Sequence, residues 1–486
     1  MSSTIEEVRN YVGGRWQAPT GDDVAEVWNP ASGEIIAKVR FSSRVDVDRA
    51  VESARVALSD WRRTAPNERA QWLYRLKAVL EERIEDLARC ITEEHGKLLA
   101  EARGEVRRAV DNVEMACGTP ANLQGRFAED IAGGVDEMLI RQPVGVCAAI
   151  VPFNFPLMIP CWFLPYAVAC GNPFVLKASE RTPRTAELLF ELIDSLDFPP
   201  GVVSLIQGGR STTELLIDHP AVRAVSFVGS TPAAHSVYAR AAAAGKRGQA
   251  QGGAKNALVL LPDAPIEAVA AIAAESAFGN AGQRCLAGAS MIAVGSAADP
   301  FAEAISELAR SRTIGSGLVE GVELGPVITA ASAQRIEDLI DQGGNEGAKV
   351  LVDGRGTSVP GYEKGFYVGA TVLDRVEPRT TLAETEVFGP VLGIMRAADL
   401  DQALSLINSG RYGNMACLFT NSGRAARRFR YEAEVGNVGI NVGVAQPMSS
   451  FPFSGWGDSF LGDLHAHGHH AIEFFTQTKV VVERWP

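Results

Sequence analysis

The sequence lacks the features that mark several common classes of protein. It contains no run of about 18 uncharged apolar residues, so we expect no membrane-spanning helix. Its first residues, "MSSTIEEVRNYVGGRW", show no basic stretch followed by an apolar one, so we expect no secretory signal. Clusters of Lys and Arg are also missing and the net charge is -12, so we expect no nucleic acid partner.

Cysteine is scarce and scattered. The seven cysteines are odd in number, and no C-x-x-C pair occurs. This usage indicates free thiols in a reducing cytoplasm and argues against a disulfide framework or a zinc site. The segment "HAHGHH" at residues 465–470 is interpreted as a solvated surface, because neither cysteine nor a second histidine cluster lies near it. We therefore expect a cytoplasmic protein without a bound metal.

The chain of 486 residues is too long for one compact core and predicts two or more domains. Apolar residues recur at three- and four-residue spacing from Thr64 to about Met115, which predicts helix with a break at Gly96. From Val144 onward, short apolar runs alternate with helical stretches, and a second such series follows Asp263. This alternation predicts an α/β fold with a parallel sheet and helices on both of its faces.

Two segments outside this alternation predict exposed strands. The stretch "FAEDIAGGVDEMLIRQP" predicts a hairpin that turns at Gly133–Gly134. The ending "AIEFFTQTKVVVERWP" is rich in residues that favour strands. Pairing with a second chain would protect such an exposed strand from uncontrolled association.

Cys285 lies in the stretch "GNAGQRCLAG". A lone cysteine is commonly a small buried residue, and that interpretation stays open. The glycines at 279, 282 and 288 allow sharp bends and close approach of a ligand, and Arg284 could stabilise a thiolate. This context favours a nucleophilic cysteine.

Other polar residues follow predicted strands, where open α/β sheets bind ligands. Asn154 in "VPFNFP" could donate its amide to a developing oxyanion, or it could simply form a turn. Lys177 and Glu180 in "KASER" could hold a ribose, or they could be two solvated charges. Ser230 lies where a strand leads into a helix, so it marks a phosphate site or is a plain N-cap. The dinucleotide fingerprint G-x-G-x-x-G and the hydrolase motif G-x-S-x-G are both absent.

The motifs "PFNFP", "KASE", "FVGST", "GAKN", "GQRC", "EVFGPV" and "FPFSG", in this order and spacing, resemble the aldehyde dehydrogenase superfamily across nearly the whole chain. The resemblance implies an NAD-binding domain of an unusual Rossmann type, an α/β catalytic domain and a β-hairpin oligomerisation arm. We place these at residues 1–122 and 144–252, at 253–470, and at 123–143 and 471–486, respectively. The arm implies a homodimer or a homotetramer.

The resemblance also implies roles for individual residues. Cys285 would be the nucleophile and Asn154 the oxyanion donor. The residues implied at the cofactor are Val151, Phe153, Lys177, Glu180, Arg181, Ser230, Gly252, Glu386 and Phe388. A thiolate would add to an aldehyde, a hydride would pass to the nicotinamide, and a thioester would remain on the cysteine. We expect NAD rather than NADP because Glu180 would repel a 2′-phosphate, although Arg181 beside it weakens that repulsion.

Gln251 opens the segment "QGGAK", where hydrolytic members of the family carry the glutamate that activates water. An amide cannot act as a general base near neutral pH, so a thiol such as coenzyme A should take the acyl group instead of water. The ending, with "GDLH" and "FFTQTK", is similar to the CoA-acylating methylmalonate-semialdehyde dehydrogenase branch of the family. In that branch two arginines, here Arg108 and Arg284, hold the substrate carboxylate.

The predicted function is NAD-dependent, CoA-acylating oxidation of malonate or methylmalonate semialdehyde, with loss of CO2. A hydrolytic aldehyde dehydrogenase acting on another aldehyde is the first alternative, and a family member retained only for binding or structure is the second. Arg108 also has the alternative of a helix-surface charge beside Arg107. The segment "VGVAQPMSSFPFSG" departs from the branch at the substrate mouth, which leaves the identity of the substrate open.

Overall fold

Two large sheets, two three-stranded sheets and one two-stranded sheet organise the part of the chain that the computed structural model describes, residues 5–485. The strands are, in chain order, β1 (Glu6–Glu7), β2 (Asn10–Val12), β3 (Arg15–Gln17), β4 (Val24–Asn29), β5 (Glu34–Arg40), β6 (Arg126–Ala132), β7 (Val135–Pro143), β8 (Val146–Ile150), β9 (Phe174–Lys177), β10 (Val203–Ile206), β11 (Val222–Val228), β12 (Arg247–Gln251), β13 (Ala257–Leu260), β14 (Ser290–Val294), β15 (Lys349–Val352), β16 (Thr371–Asp374), β17 (Val391–Ala397), β18 (Tyr412–Gly413), β19 (Met415–Phe419), β20 (Asn437–Ile440), β21 (Trp456–Gly457), β22 (Phe460–Leu461) and β23 (Thr476–Glu483).

The α-helices alternate with these strands over much of the chain. They are, in chain order, α1 (Arg44–Trp61), α2 (Pro66–Glu82), α3 (Ile84–His95), α4 (Leu99–Cys117), α5 (Thr119–Asn122), α6 (Pro160–Ala169), α7 (Pro183–Asp194), α8 (Arg210–Asp218), α9 (Thr231–Ala243), α10 (Ile266–Phe278), α11 (Ala298–Arg310), α12 (Ala330–Asn345), α13 (Thr381–Glu384), α14 (Leu400–Asn408), α15 (Gly423–Glu432) and α16 (Gly468–Phe474). Within the described range, no helix is both long enough and apolar enough to cross a membrane.

The first large sheet has the strand order β22-β12-β11-β8-β9-β10-β2-β3, and its five central strands are parallel. Successive residues of β8 face different hydrophobic clusters: Ala148 belongs to one and Ala149 to the other. Both faces of the sheet are therefore covered, which explains why its strands read as continuous apolar runs. The predicted parallel sheet with helices on both faces is confirmed.

The second large sheet has the order β15-β16-β17-β14-β13-β19-β20, and only β15 runs antiparallel. The stretch "GFYVGATVL" forms a strand only from Thr371. Strands β17 and β19 were not among the predicted strands, because "VLGIMRA" and "MACLF" contain Met, Ala and Gly, which do not favour strands on their own. Burial between neighbouring strands decides their conformation.

The predicted helical stretch is three helices, α2, α3 and α4. The expected break at Gly96 is confirmed: the residue ends α3 with φ +92°, and a Cβ atom there would lie 2.6 Å from the ring of Pro326. Only glycine fits this left-handed position without strain. A further break at Arg83, between α2 and α3, was not predicted.

The third sheet, of order β23-β7-β6, is the expected arm, and the hairpin turns at Gly133–Gly134 as predicted. Strand β23 pairs with β7 along its full length. The domain boundaries drawn from the sequence stay predictions, and β22, from the stretch assigned to the catalytic domain, pairs with β12 of the first sheet. Residues 1–4 and 486, which those boundaries include, lie outside the described residues.

Candidate active site

The loop that carries Cys285 joins α10 to β14 and is tightly folded. Gly279–Gly282 form a 3-10 turn, in which Asn280 and Ala281 have φ values of 56° and 50°. Gly282 has φ +69°, and a Cβ atom there would lie 2.0 Å from the carbonyl oxygen of Gly389. The sequence predicts that glycine permits a sharp bend near Cys285. This prediction is confirmed at Gly282.

The backbone of Cys285 is held by two side chains that sequence reasoning missed. Its carbonyl oxygen accepts hydrogen bonds from the Asn256 Nδ2 atom at 2.8 Å and from the Asn414 Nδ2 atom at 2.7 Å. Each asparagine directly precedes a buried strand, β13 and β19, respectively. The only signal in the sequence was a polar residue at the start of an apolar run.

Cys285 is partly buried, unlike most of the other cysteines, and all seven are free thiols. Burial raises the pKa of the Cys285 thiol to about 12, and the charge of Glu386 acts in the same direction. The backbone N–H groups of Cys285 and Leu286 and the charge of Arg284 lower that pKa. The thiolate thus depends on groups that lie close to the sulfur, including any positive charge brought by a bound ligand.

The structure brings Asn154 to the Cys285 loop. The Asn154 Nδ2 atom donates to the carbonyl oxygen of Gln283 at 3.0 Å, and the Asn280 Nδ2 atom donates to the same oxygen at 2.9 Å. The first bond uses one of the two N–H groups of the Asn154 amide. The remaining N–H group is the one that could bind a developing oxyanion.

A buried ion pair holds the Asn154 loop from the other side. The Lys97 Nζ atom lies 2.7 Å from Glu105 Oε2, and both side chains are fully buried. Lys97 also donates to the Asn154 carbonyl at 2.7 Å, while Glu105 Oε1 accepts from the backbone N–H groups of Leu157 and Met158 at 2.9 and 3.2 Å. The sequence pattern around Gly96 predicts only a helix break, and it does not indicate this role for Lys97.

Several expected cofactor residues lie together at the carboxyl ends of β8 and β9. The backbone N–H of Val151 donates to the Lys177 carbonyl at 3.2 Å. The Lys177 Nζ atom lies 3.4 Å from Glu180 Oε2, and the pKa of Lys177 is lowered by burial. Burial acts to raise the pKa of Glu180, but Lys177 and its other neighbours lower it overall. Lys177 is buried, so its reading as a solvated charge was wrong, whereas Arg181 is exposed.

The start of α9 carries Ser230 at its N-cap position. Ser230 is exposed, and its side chain makes no capping hydrogen bond among the described residues, so the N-cap interpretation holds for its position but not for its side chain. Thr231 instead accepts a hydrogen bond from the Gly253 N–H at 2.9 Å. An accessible helix N-terminus with free N–H groups suits the phosphates of a dinucleotide.

The motifs "PFNFP" and "EVFGPV" meet through aromatic rings. The rings of Phe153 and Phe388 meet edge to face with their centroids 5.9 Å apart. The ring of His95 stacks on that of Phe153, also at 5.9 Å. Glu386 Oε1 accepts from the backbone N–H of Ala254 at 2.9 Å. Burial raises the pKa of Glu386 to about 7, so its carboxyl group changes charge close to neutral pH.

Gln251 ends β12 and is buried, and its amide nitrogen has no hydrogen-bond partner among the described residues. The next residue, Gly252, donates its N–H to the Ser459 carbonyl at 2.9 Å. The segment then runs past Glu386 to Asn256 at the Cys285 loop. The buried end of β12 therefore holds a neutral amide rather than a carboxylate.

The two arginines expected at the substrate carboxylate make separate contacts. Arg108, on α4, donates to the Met448 sulfur at 3.4 Å and is half-buried. Arg284 donates to the carbonyl oxygens of Glu275 and Ser276 at the end of α10, and burial lowers its pKa. The described contacts do not join the two guanidinium groups.

The histidine-rich segment is less exposed than predicted. His467 is 2% exposed, its ring meets that of Trp162 edge to face at 4.7 Å, and burial lowers its pKa to about 3. His465 and His470 are half-buried, and their Nδ1 atoms are 3.3 Å apart, so only His469 is exposed. The solvated interpretation was wrong because the chain returns here to cover α6. Across residues 5–485 no group of three or more metal-ligating side chains occurs.

The site draws residues from both large sheets. Asn154, Lys177 and Gln251 follow or end strands of the first sheet, whereas Asn256 and Asn414 precede strands of the second. Ligands bind outside the carboxyl ends of strands in open α/β sheets. The pair of buried Lys177 with half-buried Glu180 and the accessible start of α9 form a set that fits a dinucleotide, although the G-x-G-x-x-G fingerprint is absent.

Comparisons with known proteins agree with this arrangement. The chain is 43% identical to malonate-semialdehyde dehydrogenase from Halalkalibacterium halodurans, over 99% of both chains. It is 42% identical to malonate-semialdehyde dehydrogenase from Pseudomonas aeruginosa, over 99% of this chain and 96% of that one.

Solved structures match equally well. Methylmalonate-semialdehyde dehydrogenase from Oceanimonas doudoroffii superposes with a TM-score of 0.97 at 39% identity, over 99% of both chains. A Sinorhizobium meliloti protein, assigned as a methylmalonate-semialdehyde dehydrogenase and solved with NAD, has a TM-score of 0.98 at 39% identity, over 100% of this chain and 99% of that one. The model of the aldehyde dehydrogenase family matches residues 16–481. The chain therefore belongs to the aldehyde dehydrogenase family.

Proposed function

We propose that this chain catalyses the NAD-dependent, CoA-acylating oxidation of malonate or methylmalonate semialdehyde. The observation that carries the proposal is the neutral amide of Gln251 at the end of β12, on the segment that leads to the Cys285 loop. Its relatives named as malonate-semialdehyde dehydrogenases, 42% and 43% identical over nearly full length, support the substrate class.

The proposed roles follow from the contacts around Cys285. Its thiolate adds to the aldehyde carbon, and the free N–H group of the Asn154 amide binds the oxygen that becomes negative. When NAD is bound, its nicotinamide accepts the hydride that leaves this carbon. The carbon is thereby oxidised to the level of a thioester on Cys285.

The cofactor would be held by residues that already lie together. Lys177 and Glu180 suit the hydroxyl groups of a ribose, because one donates and the other accepts hydrogen bonds. Ser230, at the exposed start of α9, suits the pyrophosphate. Phe153 and Phe388 flank the region assigned to the nicotinamide, together with Glu386. The NAD-bound structure of the Sinorhizobium meliloti relative supports NAD as the cofactor.

Release of the acyl group is the step that Gln251 affects. An amide has no useful basicity near neutral pH, so it does not activate water for attack on the thioester. The thiol of coenzyme A is itself the nucleophile once it is ionised. Its attack on the thioester transfers the acyl group to coenzyme A and frees the sulfur of Cys285. For these semialdehydes CO2 is lost along the way, so the products are acetyl-CoA and propionyl-CoA.

The substrate carboxylate is assigned to Arg108 and Arg284. A guanidinium group can bind a carboxylate through two parallel hydrogen bonds. Arg108 contacts Met448, which lies in the segment that we expect at the substrate mouth, and this contact supports Arg108 as the first residue to bind the carboxylate. Arg284 already spends one nitrogen on two carbonyl oxygens, so it supports binding chiefly by its charge.

The protonation behaviour of Glu386 supports a second candidate function, the hydrolytic oxidation of an aldehyde. Its carboxyl group has a pKa of about 7, and its charge acts on the Cys285 thiol. A carboxylate of that pKa is suited to act as a general base. In this alternative Glu386, rather than a residue at position 251, would activate the water.

We also propose a cytoplasmic homodimer or homotetramer. The free cysteines support a reducing compartment. The three-stranded arm supports assembly, because it exposes large apolar side chains that a second chain could cover: Phe127, Ile131, Val480, Val482 and Trp485.

The test is NADH formation from each semialdehyde with NAD, with and without coenzyme A, and with products identified by mass spectrometry. We expect sustained turnover only with coenzyme A, giving acetyl-CoA or propionyl-CoA. Full turnover to a free acid without coenzyme A would support the Glu386 alternative. Activity confined to uncharged aldehydes would refute the roles of Arg108 and Arg284.

A further inference from the structure

The peptide group between Cys285 and Leu286 receives two side-chain hydrogen bonds on its oxygen. The donors are the amides of Asn256, at 2.8 Å, and Asn414, at 2.7 Å. Both asparagines are buried, and they come from different segments of the second sheet. Two neutral donors thus converge on one carbonyl group of the residue assigned as the nucleophile.

Both donors are themselves held in place. The Asn256 amide also donates to the Ala287 carbonyl at 2.8 Å, so it spans the backbone on both sides of Leu286. The backbone carbonyl of Asn414 accepts hydrogen bonds from the backbone N–H and the side-chain amide of Asn437, each at 3.0 Å. These contacts hold the backbone from which the Asn414 amide reaches the Cys285 carbonyl.

The other end of this peptide group is the N–H of Leu286, the residue that directly follows Cys285. This N–H lowers the pKa of the Cys285 thiol, and it belongs to the same peptide group as the Cys285 carbonyl. Hydrogen bonds accepted by the oxygen draw electron density from the nitrogen and make the N–H a stronger donor. Such polarisation along a chain of hydrogen bonds strengthens each bond by roughly 10–30%.

We propose that Asn256 and Asn414 are positioning residues that strengthen Cys285 as a nucleophile, by polarising the Cys285–Leu286 peptide group so that its N–H stabilises the thiolate. The inference rests on the proposed role of Cys285 but not on the identity of the aldehyde or of the acyl acceptor. Neutral donors suit this task because they favour the thiolate without placing a second charge beside the substrate.

The test measures the pH profile of Cys285 alkylation by iodoacetamide in the full-length enzyme, without NAD or substrate, by mass spectrometry of the Cys285 peptide. The variants are Asn256→Ala, Asn414→Leu and the double variant. Asn408→Leu is the matched control, because Asn408 donates to the Glu432 carbonyl at 2.9 Å, outside the Cys285 loop. We expect each single variant to shift the profile upward by about 0.3 pH unit and the double variant by about 0.6.

Two further measurements separate this role from a purely structural one. Asn256→Ser keeps a hydroxyl donor and should recover part of the shift. A loop that is merely loosened would change the limiting alkylation rate without moving the profile. The single variants that keep the wild-type melting temperature decide the test. If their pH profile of alkylation does not move, or if Asn408→Leu shifts the profile equally, the proposal is overturned. Because no substrate is present, a wrong substrate assignment would leave this result unaffected.

Discussion

The two loops that form the site are held by different kinds of interaction. The Asn154 loop is fixed by a fully buried ion pair, in which Lys97 and Glu105 bind its backbone at the carbonyl of Asn154 and at the N–H groups that follow. The carbonyl oxygen of Cys285 is held by two neutral amides. An ion pair thus holds the loop of the proposed oxyanion donor, whereas neutral dipoles hold the carbonyl of the proposed nucleophile.

This difference has a physical reason. In the proposed reaction the thiol of Cys285 changes its charge, so a further unpaired ion beside it, in addition to Arg284 and Glu386, would bias one state. A buried pair of opposite charges has no net charge, and it can therefore anchor the neighbouring loop without such a bias. The ion pair is sensitive to substitution, because removal of either partner leaves a buried charge without compensation.

The largest expected effect comes from breaking the ion pair. Lys97→Met leaves Glu105 buried without its partner, and we expect a loss of about 3–5 kcal/mol in the free energy of unfolding. Chemical denaturation measures this loss. Arg103→Met is the matched control on α4, the helix that carries Glu105, since the pair of Arg103 with Glu85 is exposed and should add little. Equal effects of the two variants would contradict the view that the buried pair anchors the Asn154 loop.

The next effect concerns Gln251, which ends β12. Gln251→Glu supplies a carboxylate where β12 ends, so we expect release of free acid without coenzyme A to rise about tenfold or more. The rate is measured by NADH formation under multiple turnover. The double variant Gln251→Glu/Cys285→Ala should form no NADH. An unchanged rate of acid release in Gln251→Glu would count against our account of the missing base.

The smallest effect is the pH dependence contributed by Glu386. Burial raises the pKa of Glu386 from the ordinary 4.5 to about 7. Between pH 4.5 and pH 7 the folded state therefore keeps a proton that the unfolded state has lost. Stability from this group is therefore full below about pH 4.5 and declines as the pH rises to about 7, by at most ~1.4 kcal/mol per pH unit. Glu386→Gln should flatten the stability profile over that range, as thermal melts at several pH values would show. A slope equal to that of the unaltered enzyme would contradict this assignment.

The sequence allowed the fold to be predicted in outline because buried parallel strands leave continuous apolar runs. The prediction failed at β17 and β19, whose composition is ambiguous and whose conformation depends on neighbouring strands. It failed again at His467, because no local pattern shows that a polar segment returns to cover Trp162.

The site was predictable only where its residues belong to recognisable motifs. Asn154 and Cys285 lie in such motifs, and the structure brings their loops together. The residues that position them, Lys97, Glu105, Asn256 and Asn414, act through contacts between distant segments. Such contacts leave no periodic trace in the sequence, so they emerge only from the coordinates.

In the proposed reaction, a thiol and not water releases the acyl group from Cys285. The most direct measurement is rapid quenching of a single turnover with malonate semialdehyde and NAD, followed by mass spectrometry of the intact protein and of the Cys285 peptide. We predict an acyl group on Cys285 that persists without coenzyme A and disappears when coenzyme A is added, with acetyl-CoA formed in equal amount. Rapid loss of that acyl group as free acid without coenzyme A would contradict the account.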